Sequence, residues 1–303
     1  MRVALSQMTS VSDLNLNIKF IEDSIKEAKN NGADLVLFPE NCGFMGRGAD
    51  MLANACEEES HPTLIASKKA AKKNNIFVLL GSIAVFSSGA ESSKLANRSL
   101  FIDKKGNICG RYDKINMFDA NISSKESYNE SNRYNAGTEI VVVENELGKI
   151  GLTICFDIRF PELYKELSNR GCNIITIPSA FTVNTGKFHW EILLRARAIE
   201  TSCWVLAPAQ IGNHYNKRET WGHSMVIDPW GNIIVEATQK QKIIYADIDV
   251  NKSKEINIYS QRHYDSDKMQ YKKFEEKTGI KVNVTKAGAC LLYTSDAADD
   301  TPC

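Results

Sequence analysis

Three residues of suitable chemical type follow three separate strand-like runs. Glu40 comes after LVLFP, Lys114 after NICGRYD, and Cys155 after IGLTI. In layered α/β folds, ligands gather beyond the carboxyl ends of strands, where loops vary over roots that the sheet holds still. A carboxylate, an ammonium and a thiol could therefore converge. A free cysteine is mostly protonated at neutral pH, and the thiolate is the nucleophile, so the sulfur needs a base. Glu40 could take its proton. Lys114 could favour the thiolate and donate to the oxyanion formed when sulfur attacks a carbonyl. A helix read as starting near Arg159 would add a positive dipole end and free backbone N–H groups, that of Phe156 among them. Singly, each residue has a blander reading: loop charge for Glu40 and Lys114, core filler for Cys155.

Other polar residues read as supporting structure. The trio His189, Trp190 and Glu191 lies inside a helical pattern, where Glu191 and Arg195 form an i,i+4 pair and Trp190 reads as packing. Glu191 could also be a buried carboxylate near the site. His214 and His223 read as structural or as pocket rim. The eight cysteines include no C-x-x-C pair, and no cluster offers three ligands at metal spacing. Neither metal nor cofactor is expected.

The elements that must position such a triad alternate between strand and helix patterns. RVALSQM reads as a first strand. The stretch LNLNIKFIEDSIKEAKNNG places Ile18, Ile21, Ile25 and Ala28 on one helical face, with Asp13 at its start and Gly32 at its end. Two hairpins are expected, one about Lys105–Asn107 and one in EIVVVENELGKIGLTIC. RFPELYKELSNRG and KFHWEILLRARAIETS read as helices, the second with Phe188, Ile192, Ala196 and Ile199 as its apolar stripe. Helices between strands throughout predict an α/β layered fold. Hairpins mixed with crossovers count against a pure Rossmann fold or a barrel.

The 303 residues carry 37 basic and 37 acidic side chains, with 43% hydrophobic content. That balance leaves no global field directed at nucleic acid or at an anionic membrane. No apolar run reaches the roughly 18–20 residues of a membrane span. The amino-terminal stretch lacks the regions of a secretory signal, so a cytoplasmic location is expected. The stretch CLLYTSDAAD at 290–299 resembles a translated sequencing adapter, so residues 290–303 are set aside as a tail.

The stretches LVLFPE, RYDKINMFD and ICFDIRFPELY resemble the three motifs of the nitrilase, or carbon–nitrogen hydrolase, superfamily, in order and at suitable separations. The resemblance covers about residues 1–270, leaving 271–289 as a carboxyl-terminal extension. It implies a single-domain, four-layer α-β-β-α sandwich that pairs into a homodimer or larger assembly. It also implies a Glu-Lys-Cys triad at Glu40, Lys114 and Cys155. A second glutamate of the family matches Glu130 in NESNRYNAG, with Glu126 as competitor. Many relatives carry histidine two residues after the lysine, where this chain has Asn116.

The segment from PSAFTVNTG to GHSMVIDPWG resembles the Nit branch of amidases, and within it deaminated glutathione amidases more than omega-amidases. That implies hydrolysis of the amide joining a 2-oxoglutarate unit to cysteinylglycine, a metabolite-repair reaction. The alternatives are an omega-amidase on 2-oxoglutaramate, an N-carbamoyl amine hydrolase, or a catalytically silent scaffold of the same fold. A small carboxylated substrate needs cationic or hydroxyl partners. Arg159 could meet its carboxylate, or instead pair with Glu162 or Glu40. Phe181, Thr182 and Thr185 follow the next strand end and could line the same pocket, or serve packing and turn structure.

Overall fold

The structure, a computed structural model, describes residues 1–87, 94–123, 126–215, 218–250, 255–260, 265–278 and 281–286. The adapter-like tail at 290–303 and residues 287–289 lie outside the described residues. Two compact units divide the chain, Met1–Val250 and Asn251–Cys303.

The first half of the larger unit runs β1 (Arg2–Gln7), α1 (Leu14–Asn30), β2 (Leu35–Leu37), α2 (Gly48–Ala53), α3 (Pro62–Asn74), β3 (Phe77–Phe86), β4 (Leu95–Ile102) and β5 (Ile108–Asp113). A small hairpin of β6 (Asp119–Ser123) and β7 (Glu126–Asn129) follows. The second half runs β8 (Val142–Asn145), β9 (Gly148–Leu152), α4 (Pro161–Asn169), β10 (Ile174–Thr176), α5 (Val183–Thr201) and β11 (Trp204–Ala207). It continues through β12 (Ile211–Asn213), β13 (Glu219–Trp221), β14 (Met225–Ile227), β15 (Ile233–Glu236) and β16 (Lys242–Asp247). In the smaller unit, β17 (Glu255–Ser260) pairs in parallel with β18 (Lys281–Lys286), and α6 (Asp265–Thr278) lies between them in sequence. The expected boundary at residue 270 falls within α6.

Two six-stranded sheets result, ordered β16-β1-β2-β3-β4-β5 and β15-β14-β11-β10-β9-β8. Each has three parallel strands at its centre, β1-β2-β3 and β9-β10-β11, flanked by antiparallel ones. Strand side chains alternate between faces, and the burial follows that period. Val3, Leu5, Leu35, Leu37 and Leu79 join Leu152, Ile174 and Val205 in one apolar cluster that also takes in Tyr164 and Leu194 of the second-half helices. Ala4, Val36, Val78 and Leu80 turn the other way, onto Ile21, Ile25 and Ala28 of α1 and Leu64 and Ala71 of α3. The layers are α-β-β-α. Among the described residues no helix is long and apolar enough to cross a membrane.

Asp13 caps α1 through its carboxylate, which accepts from the N–H groups of Asn15 and Leu16. Asn17 sits on the buried face of that helix, while Ile18 is half-buried. Two corrections bear on function. The chain after Cys155 first makes a 3₁₀ turn over Cys155–Arg159, and α4 starts only at Pro161. The inward face of α5 carries Gly186, Trp190, Leu194, Arg197 and Ala198, not the expected stripe. Phe188, Ile192 and Ile199 are 65%, 69% and 54% exposed. The helix is apolar on two sides, and its periodicity alone cannot say which side meets the sheet.

Candidate active site

Each candidate side chain hangs from a strand end. Glu40 lies three residues past β2, Lys114 directly follows β5, and Cys155 lies three residues past β9. Gly81 allows the two halves to meet there. A Cβ at that position would clash with the Phe38 carbonyl oxygen and stand 2.5 Å from Pro178 Cβ. The Pro178 carbonyl in turn accepts the Cys155 N–H at 2.9 Å. Cys155 has φ +49°, a left-handed conformation rare for a side chain of this kind. Such backbone strain persists only where surrounding contacts enforce it.

Lys114 is 1% exposed. Its Nζ donates to Glu40 Oε1 at 3.0 Å and to Glu130 Oε2 at 2.8 Å. An ammonium has three donors, so one remains for the cavity. Asn97 Nδ2 bridges the same carboxylates, 3.0 Å from Glu40 Oε1 and 3.1 Å from Glu130 Oε1. The Ala180 N–H donates to Glu40 Oε2 at 3.0 Å, and the Phe118 N–H to Glu130 Oε2 at 2.7 Å. Glu126, the competing carboxylate, begins β7.

The charges follow from this packing. Burial pushes the Glu40 carboxyl up, but Lys114, the Cys155 thiol and Asn97 together hold it below the ordinary value. Burial also opposes the Lys114 charge, and Glu130 and Glu40 overcome it, raising that group well above the usual lysine range. Burial first, then Glu40, lifts the Cys155 thiol well above its ordinary value against the pull of Lys114. The resting site is thus a thiol near a carboxylate that is paired with an ammonium. Lys114 does pull the sulfur toward the thiolate, but burial and the neighbouring carboxylate outweigh that pull.

One cavity of about 90 Å³ is lined by Glu40, Lys114, Glu130, Cys155 and Phe156, and also by Arg159, Phe181, Thr182 and Thr185. Arg159 Nη2 lies 3.0 Å from His189 Nδ1, and its guanidinium rests 5.6 Å from the ring centres of both Phe156 and Phe181. It pairs with neither Glu162 nor Glu40 among the described residues. Thr182 also caps α5, accepting from the Thr185 N–H, and Phe181 also packs on Trp190 at 4.8 Å. Glu191 is exposed and pairs with Arg195 at 3.3 Å, away from the cavity. His214 is held between the Ser10 carbonyl and Thr220 Oγ1, at 2.8 and 2.7 Å.

Asn116 hydrogen-bonds Asp157 Oδ1 with both its backbone and its side-chain N–H, each at 2.9 Å. Asp157 also accepts from Tyr112 Oη at 2.7 Å and from the Ile154 N–H at 2.9 Å. An amide at this position ties the Lys114 segment to the Cys155 turn without a charge. Asn97, Tyr128 and Arg218 were missed from sequence. Asn97 lies inside β4 within LANRSLF, with no local pattern to mark it.

A cysteine on a strained turn therefore shares one cavity with a buried carboxylate–ammonium network where two mixed sheets meet. The chain belongs to the carbon-nitrogen hydrolase family, whose profile matches residues 2–258. It is 39% identical over 259 residues to the deaminated glutathione amidase of Synechocystis sp., covering 84% of this chain and 93% of that one. It is 41% identical over 234 residues to the deaminated glutathione amidase of Yersinia enterocolitica, covering 77% and 81%. The crystal structure of the C. elegans NitFhit protein superposes with a TM-score of 0.76 at 36% identity, over 83% of this chain and 61% of that one.

Proposed function

We propose that the chain is a cysteine-dependent amidase whose preferred substrate is deaminated glutathione, released as 2-oxoglutarate and cysteinylglycine. The observation that carries the mechanism is the Lys114 ammonium, buried between Glu40 and Glu130 in the cavity that the Cys155 thiol also lines. Glu40 takes the Cys155 proton as sulfur bonds to the amide carbon. The free donor of Lys114 and the Phe156 N–H, in a turn whose first N–H groups lack partners within the helix, receive the oxyanion. Glu40 returns the proton to the nitrogen, the C–N bond breaks, and the amine leaves. Water then gives a proton to Glu40 and attacks the thioester; sulfur leaves and regains that proton, and the acid departs. Glu130 positions Lys114, and Arg159, above Phe156 and Phe181, meets the substrate carboxylate. Phe181, Thr182 and Thr185 line the acyl pocket.

The exposed Phe188, Ile192 and Ile199 on α5 support a homodimer that covers them, since an apolar stripe of this kind marks an interaction surface. A cytoplasmic location accords with thiols and a substrate of the cell interior. Steady-state hydrolysis of deaminated glutathione beside 2-oxoglutaramate, with Cys155→Ala as control, tests the reading. Faster turnover of the first, lost in the variant, is expected. Preference for 2-oxoglutaramate would reassign it as an omega-amidase, and full activity of Cys155→Ala would end the mechanism.

A further inference from the structure

Arg218 enters the same cavity from the loop between β12 and β13. Its Nε is buried and has no hydrogen-bond partner. Nη1 makes a single long contact, 3.4 Å to Tyr215 Oη, and the guanidinium lies 5.2 Å from the centre of the Tyr128 ring. Among the described residues no carboxylate pairs with it. A partly buried cation with an unused donor fork is costly unless an anion joins it. A guanidinium edge of this kind matches a carboxylate.

A continuous run of aromatic contacts links the two cavity arginines. Arg218 rests on Tyr128 at 5.2 Å; Tyr128 packs on Phe118 at 4.9 Å; Phe118 packs on Phe156 at 5.0 Å; Arg159 rests on Phe156 at 5.6 Å. Arg159 belongs to the Cys155 turn itself, on the acyl side of the site. Arg218 closes the other end of that run of contacts. Its hairpin is fastened to the site: the Trp221 N–H donates to the Phe181 carbonyl at 2.9 Å, Thr220 pairs with Thr182, and Gln210 Nε2 reaches the Glu40 carbonyl at 2.9 Å.

We propose that Arg218 receives a carboxylate carried by the leaving amine, so that the site selects amides bearing one carboxylate on each side of the scissile bond. This rests on the amidase reading above and deepens it. The apolar wall takes the chain between the two anions. An amide that releases only ammonia leaves Arg218 empty.

The test compares deaminated glutathione with the same compound whose glycine carboxylate is capped as a primary amide. The wild-type protein is expected to prefer the free acid by about 10- to 100-fold in kcat/KM, the range of a charged hydrogen-bonding partner. Arg218→Leu should lose that preference by falling much further on the free acid than on the capped compound, and Arg218→Lys should keep part of it. Equal wild-type rates on both compounds, or an equal loss on both in Arg218→Leu, would overturn the proposal. The wild-type comparison needs no variant to fold. Failure of the wild-type protein to cleave either amide would instead sink the amidase reading.

Discussion

Arg98 grips Asp113 with both arms of its guanidinium, Nε to Oδ1 at 2.6 Å and Nη2 to Oδ2 at 2.8 Å. The two are register partners on β4 and β5, one residue beyond Asn97 and one before Lys114. Nη1 also holds Glu58 at 2.9 Å. Because side chains on a strand alternate, a slip of one residue would turn Lys114 out of the cavity. Arg98→Met should cost about 1–3 kcal/mol, less than a fully buried pair because Asp113 is partly exposed. Urea unfolding measures this, and an unchanged midpoint would remove the pair's structural role.

Gly81 carries the approach of the two halves. Gly81→Ala must displace the Phe38 carbonyl or Pro178, and through Pro178 the Cys155 backbone. A loss of about 1–3 kcal/mol is expected from overpacking, together with a fall in kcat larger than the fall in stability explains. Thermal unfolding and kinetics on the same preparation separate the two effects. Wild-type kcat in a folded variant would show that the spacing is not tuned there.

Glu40→Gln keeps the acceptor for Lys114 and removes the proposed base. The rate of acylation should fall by about 10²- to 10⁴-fold. A single-turnover assay reads it, and a loss below threefold would place the base elsewhere.

The pH profile has a defined shape. Glu40, held below its ordinary value, must be ionised, so the acid limb of kcat/KM should fall below the usual carboxylate range of about 4.3. Cys155 and Lys114, both raised, push the alkaline limb above about 8.5. The stability that Glu40 contributes is present above its unfolded value and lost as pH falls through the depressed folded one. That of Lys114 is present below its unfolded value and lost as pH rises through the raised folded one. Both are fully present near neutrality. Limbs at pH 6 and 7.5 would contradict this arrangement.

Iodoacetamide should distinguish the buried thiols. Cys42, Cys172 and Cys203 are pushed up to about 12, chiefly by burial, and none lines the cavity. Cys155 opens onto it beside a base. Peptide mapping should find Cys155 alkylated ahead of those three and shielded by substrate, with the exposed Cys109 labelled regardless. Labelling of Cys42 or Cys203 ahead of Cys155 would count against an activated sulfur.

What could be read from the sequence was local. Pro39 ends an apolar run, Asp13 precedes a helical period, and Lys105–Asn107 sits between two strands; each leaves its mark within a few neighbours. The strand ends that carry Glu40, Lys114 and Cys155 were legible for the same reason. The face of α5 was not, because that helix offers Trp190 and Leu194 on one side and Phe188 and Ile192 on another.

The sequence by itself determined the alternation of strands and helices and the three chain positions where reactive groups emerge, since both depend on short-range periodicity and steric punctuation. Only the tertiary structure decided that Asn97 bridges two carboxylates, that Cys155 rests as a thiol, and that Arg159 and Arg218 face one cavity. Those facts arise from contacts between residues far apart in the chain. Burial and charge proximity, which set them, exist only once the sheets have packed.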